Sequence, residues 1–199
     1  ANQPDIAHGV FHVGGGAWST MLERSANWSG FEGLVLSSGL DTMNDRQLLY
    51  SVSQLFWDPV DPGAYTEDLR GRSVLWQESI GDDQVPNLTT ELITRGAQAH
   101  LVTPSVTSPL GLETTTAPTT GPALTQFDSE LGEPPPTTRP APDTATHETP
   151  RLWEGTKLQT LRFLDPDDGG VVEHFCGDAP CTAINAGIDM VMAPNDWKA

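Results

Sequence analysis

The chain is poor in positive charge. Ten Lys and Arg stand against 27 Asp and Glu, a net charge of −17 over 199 residues. Such a surface repels a phosphate backbone, which argues against nucleic acid as a partner. Cysteine is nearly absent, with two residues in all, too few for a closed four-ligand zinc site. No run approaches the roughly 18 apolar residues of a membrane-spanning helix. The opening stretch, ANQPDIAHGVFHVGGGAW, has no basic segment followed by an apolar one, so it does not read as a signal peptide. That leaves three readings: a cytoplasmic protein, a processed one, or a chain whose real beginning is missing.

What is present is globular in kind. Hydrophobic residues make up 37%, with six Trp and six Phe, enough apolar surface to build a core rather than a disordered chain. The acidic excess reads most simply as a solubility adaptation. The two cysteines fall together in CGDAPC, as Cys176 and Cys181. Four intervening residues with Gly and Pro close a small loop, which suits a disulfide in an oxidising compartment. Two free thiols, or a metal held with the nearby His174, are the alternatives.

The pattern along the chain is that of a single α/β domain, residues 1–199. HGVFHVGG reads as a strand stopped by glycines, and MNDRQLLYSVSQLFWD as a helix with Leu48, Leu49, Val52, Leu55 and Phe56 on one face. The prolines of DPVDPG end it. Phe56 and Trp57 are expected in the core. RSVLWQES is a buried strand, and Pro86 and Asn87 open a helix that stops near Gly96. AQAHLV is again strand-like, so the rhythm is that of a mostly parallel sheet. Residues 103–146 form a Thr/Pro-rich loop region with one short strand, in PALTQFD. THETPRLWEGTKLQTLRFL gives a last helix, with Leu158, Leu161 and Leu164 spaced by three, and VVEHF a last short strand.

Ligands and catalytic groups gather at the carboxyl ends of strands in open parallel sheets. The turn ESIGDDQVPNLTT places Asp82 and Asp83 at such an end. The long loop after PALTQFD delivers His147 to the start of the last helix. An Asp and a His so placed form an acid–histidine pair, the carboxylate orienting the imidazole and stabilising its charged form. The bland alternative for Asp82 is helix or turn capping, and for His147 a surface position. Asp83 is expected to be solvated or to cap the following helix. The usual nucleophile motif, G-x-S-x-G, is absent: GRSVL and NWSGF each lack a glycine, and GGGAWS has the wrong spacing.

The stretch DIAHGVFHVGGGAWSTMLERSANW looks like the strand that follows the nucleophile helix in bacterial α/β-hydrolases of lipase or esterase type. LLYSVSQLFWDPVDPGAY, GDDQVPNLTTELITR, ALTQFD and HETPRLWEG follow in the order of that family's C-terminal half, so the resemblance spans most of the chain. G-D-x-x-V-P is similar to the family's acid turn and selects Asp82 over Asp83, and HFCGDAPC resembles its closing cysteine loop. The resemblance implies Asp82 and His147 as catalytic acid and base, an ester or lipid substrate, no cofactor and no metal. It also implies a serine missing from this chain, carried on an N-terminal segment of the same protein. The acidic surface and the expected disulfide fit a secreted or periplasmic bacterial hydrolase.

Other candidates are weaker. His174 competes with His147 for the base. His8 and His12 lie four apart, which on a strand separates them by about 13 Å and disfavours a shared metal. HVGGGAW is only superficially similar to an oxyanion loop. DPDDGG lacks the terminal Glu of a calcium loop. A different class of function, a secreted non-catalytic binding domain, is favoured by the missing serine and by a Thr/Pro-rich loop with NWS and NLT acceptor patterns.

Overall fold

The computed structural model describes residues 6–131 and 142–187. In chain order the elements are β1 (His8–His12), α1 (Trp18–Met21), α2 (Ser29–Ser37), α3 (Met43–Trp57), β2 (Ser73–Ile80) and α4 (Asn87–Gly96). They continue as β3 (His100–Thr103), β4 (Glu113–Thr116), β5 (Thr119–Thr120), β6 (Ala123–Asp128), α5 (Glu154–Phe163), β7 (Val171–Val172) and β8 (Cys181–Thr182). The main sheet runs β1-β2-β6-β3-β4, with β8 joining the end of β6, and every pair in it is parallel. β5 and β7 form a small antiparallel ribbon. This is an α/β architecture around a parallel sheet.

Parallel strands need cover on both faces, and the central ones have it. On one side Val74, Trp76, Leu101 and Leu124 pack against Ile93 of α4. On the other, Leu75, Val102 and Ala123 meet Phe163 of α5 and Val172. A third cluster, Phe127, Trp153, Cys176, Cys181 and Ala186, closes the carboxyl end of β6. No helix among the described residues is long and apolar enough to cross a membrane.

Three expectations are corrected. The Thr-rich segment holds two further strands, β4 and β5, because Thr is β-branched and suits a pleated surface even in a Pro-rich context. The apolar stripe of α3 faces outward: Leu55 is 71%, Phe56 80% and Trp57 41% exposed, so neither Phe56 nor Trp57 is core. The inward side of α3 is polar and aromatic. Buried Tyr50 donates to buried Glu23 (3.1 Å), Arg46 pairs with the same carboxylate (2.5 Å), and Tyr50 packs edge-on against Trp28. Leu158 and Leu161 of α5 and Leu164 just after it are likewise exposed, while Thr156, Gln159 and Phe163 point inward.

Candidate functional site

The parallel strands deliver three segments to one edge. β1 runs out into Val13–Gly16, β2 into Gly81–Asp83, and β6 into the loop that returns at residues 142–149. Gly81 turns the chain with a φ of 75°, a conformation glycine adopts freely. Gly15 and Gly16 let that first segment lie against α4. A Cβ on Gly15 would meet Val85 at 2.7 Å, and one on Gly16 would meet Ile93 at 2.6 Å.

At this edge the two adjacent aspartates hold the same histidine in different ways. Asp82 is 2% exposed and takes the ring: His147 Nδ1 lies 3.0 Å from both carboxylate oxygens. Its Oδ1 also accepts from the backbone N–H of Gln84 (2.9 Å) and Val85 (2.7 Å), which fixes the carboxylate in its turn. Asp83, also buried, takes the backbone. Its Oδ1 accepts from His147 N–H (3.0 Å), and its Oδ2 from Thr144 N–H (2.8 Å) and Ala145 N–H (3.1 Å). Asp83 is therefore neither solvated nor a cap for α4: the loop that folds over it from 63 residues away satisfies its lone pairs.

Thr146 completes the clamp. Its hydroxyl donates to Gly81 C=O (2.7 Å) and accepts from Asp83 N–H (3.0 Å), while Ser79 Oγ donates to Thr146 C=O (2.6 Å). Ala145 sits at φ 62°, a strained position for a residue with a Cβ.

The electrostatics follow from this geometry. Burial lowers the basicity of His147, but the hydrogen bond and charge of Asp82 outweigh it and leave its pKa above the usual value. Burial likewise raises Asp83, and the N–H groups of Thr144 and His147 outweigh that and hold it below the usual carboxylate range.

His147 opens onto a cavity of about 500 Å³, lined mainly by Trp18, Met21, Leu22, Trp28, Phe31 and Val85. Ser25 also lines it, but its Oγ accepts from Asn27 N–H at 3.2 Å. Among the described residues no hydroxyl hydrogen-bonds the His147 ring. Asp61 fixes the cavity's α1 wall by accepting from Ala17 N–H (2.9 Å) and Trp18 N–H (2.7 Å).

The remaining candidates lie elsewhere. His174 belongs to the disulfide loop, where its Nδ1 meets Gly177 C=O at 3.1 Å. His8 and His12 each bind across to β2, at Ser73 (2.8 Å) and Gln77 (3.0 Å), rather than to each other. Cys176 and Cys181 form a disulfide. In NLT, the Asn87 side chain is engaged with Gly81 N–H and Ser79 C=O.

Sequence reasoning missed Glu78. It lies on β2, fully buried, with Oε2 accepting from Gln126 (2.9 Å) and Oε1 without a hydrogen-bond partner among the described residues. Burial pushes its pKa up to about 8. A Glu inside RSVLWQES was the available signal, since an interior strand of a parallel sheet has no solvated face. The chain matches no family profile, no curated protein and no solved structure.

Proposed function

We propose that Asp82 and His147 are the acid and base of a serine ester hydrolase of α/β-hydrolase type, acting on a serine carried outside this chain. The observation that supports this reading is the grip of buried Asp82 on His147 Nδ1, at the edge where the sheet's strands end. With the Nδ1 proton held by the carboxylate, Nε2 is the basic nitrogen. It takes the proton of the serine hydroxyl as oxygen attacks the ester carbonyl, and Asp82 stabilises the imidazolium that forms. The same proton then passes to the departing alcohol, and a water repeats the cycle on the acyl-enzyme. Asp83 acts on position alone, holding the His147 backbone so that the ring keeps its place. The aromatic and aliphatic cavity beside His147 suits the apolar part of an ester or lipid. A bacterial secreted or periplasmic setting fits the disulfide. As an isolated chain the protein is then inactive, and its partner is the segment that bears the serine.

The test compares this chain with the product of its gene's complete reading frame, using a p-nitrophenyl ester and a fluorophosphonate label. Turnover and a labelled serine in the longer form only are expected, with kcat falling on the order of 10⁶-fold in His147→Ala. A folded longer form that is silent in both assays overturns the proposal.

A further inference from the structure

The geometry points to a latent metal site at the disulfide loop: once the Cys176–Cys181 bond is reduced, both sulfurs and His174 Nε2 bind a single zinc ion. The three ligand atoms already lie within 4.8 Å of one another. His174 Nε2 stands 3.5 Å from Cys181 Sγ, close to the separation of about 3.6 Å between nitrogen and sulfur ligands of a tetrahedral zinc ion. The ring is also oriented as a ligand. Its Nδ1 faces the Gly177 carbonyl at 3.1 Å, and a carbonyl only accepts, so Nδ1 carries the proton and Nε2 presents its lone pair to the sulfur. An N–H to carbonyl bond of this kind is how metal-binding histidines are fixed.

The C-terminal side of the loop is held by hydrogen bonds besides the disulfide. Asn185 accepts from Thr182 N–H (2.7 Å) and donates to Pro180 C=O (2.8 Å), and Ala186 N–H donates to Thr182 C=O (3.0 Å). Cys181 is held in β8 against β6, and both cysteines are buried beside Phe127 and Trp153. Three ligands fall short of a closed structural site. They match an open one of two sulfurs and one nitrogen, with a fourth position for water.

The chemistry balances. A water-soluble phosphine supplies two electrons and takes up a water oxygen as phosphine oxide, and the two protons of that water complete two thiols. Zinc then displaces both thiol protons to solvent, and two thiolates offset its charge. The site is independent of the ester hydrolase reading.

The probe is Co²⁺, added to phosphine-reduced protein freed of reductant under nitrogen. Expected are a sulfur-to-cobalt charge-transfer band and tetrahedral ligand-field bands that saturate at one equivalent and vanish on adding Zn²⁺. The oxidised protein gives neither. His174→Ala keeps both cysteines and weakens Co²⁺ binding at least about tenfold, and Cys176→Ser with Cys181→Ser removes the bands. Circular dichroism follows folding throughout. The inference is overturned by a reduced chain without the bands, folded or not, by bands that survive in the double serine variant, or by unchanged affinity in His174→Ala.

Discussion

The strand ends around Asp82 and the β1 edge belong to the same sheet, yet they are finished to different degrees. At the first, Phe127 is 1% exposed, and the lone pairs of Asp82 and Asp83 are taken up by backbone and side-chain donors. At the second, β1 pairs with β2 alone among the described residues, and Phe11 is 40% exposed. Leu161 of α5 stands out at 69%, and away from the sheet Phe56 of α3 at 80%. Among the described residues, the clefts on either side of β1 are lined by Arg72, Arg151 and Lys157 and by no carboxylate, in a chain whose acids outnumber its bases 27 to 10. The difference is one of finish: the polar end has its buried groups hydrogen-bonded, while the exposed apolar side chains are where self-association is expected.

Substitutions sharpen this contrast, and the largest effect belongs to Asp83→Ala. It strands the N–H groups of Thr144, Ala145 and His147, and unpaired buried donors cost about 1–3 kcal/mol each. Denaturant unfolding should show a loss of several kcal/mol, with faster amide exchange at residues 144–147. A loss below about 0.5 kcal/mol would mean the loop is held by other contacts.

Glu78→Gln comes next and carries a sign. Burial holds the folded pKa of Glu78 near 8, above its unfolded value. The folded state therefore keeps a proton that the unfolded state has lost, and stability falls as pH rises from about 4.5 toward 8. The Gln variant should flatten that fall and be the more stable protein at pH 8. Melting curves at pH 5 and pH 8 check it, and equal slopes in the two proteins refute it.

The smallest effect on stability is expected on the apolar flank. Leu55→Lys with Phe56→Glu should change unfolding free energy by less than about 0.5 kcal/mol per site while raising the monomer fraction in sedimentation velocity. The unsubstituted chain should self-associate. A wild-type chain that stays monomeric at high concentration contradicts this.

Much of the sheet was legible because period and punctuation agree: the glycines after β1, Pro86 before α4, and the compact apolar run of β2. The approach of Asp82 and His147 was legible from the rule that strand ends converge. Three things were not. Asp83 looks like any turn aspartate, since its partners arrive from residues 144–147. The helical stripe of α3 is a true amphipathic pattern, but periodicity does not say which face meets the core when Tyr50, Glu23 and Arg46 make the inward contact. The Thr-rich β4 reads as loop because its strand character depends on pairing with β3.

The central claim is that Asp82 holds His147 as an oriented, more basic imidazole, and NMR titration of the His147 ring in wild type and Asp82→Asn tests it most directly. The account predicts a wild-type pKa above the ordinary 6.5, with the proton of the neutral ring on Nδ1, and a clear drop in the Asn variant. The same pKa in both proteins, or a neutral ring protonated on Nε2, would contradict it.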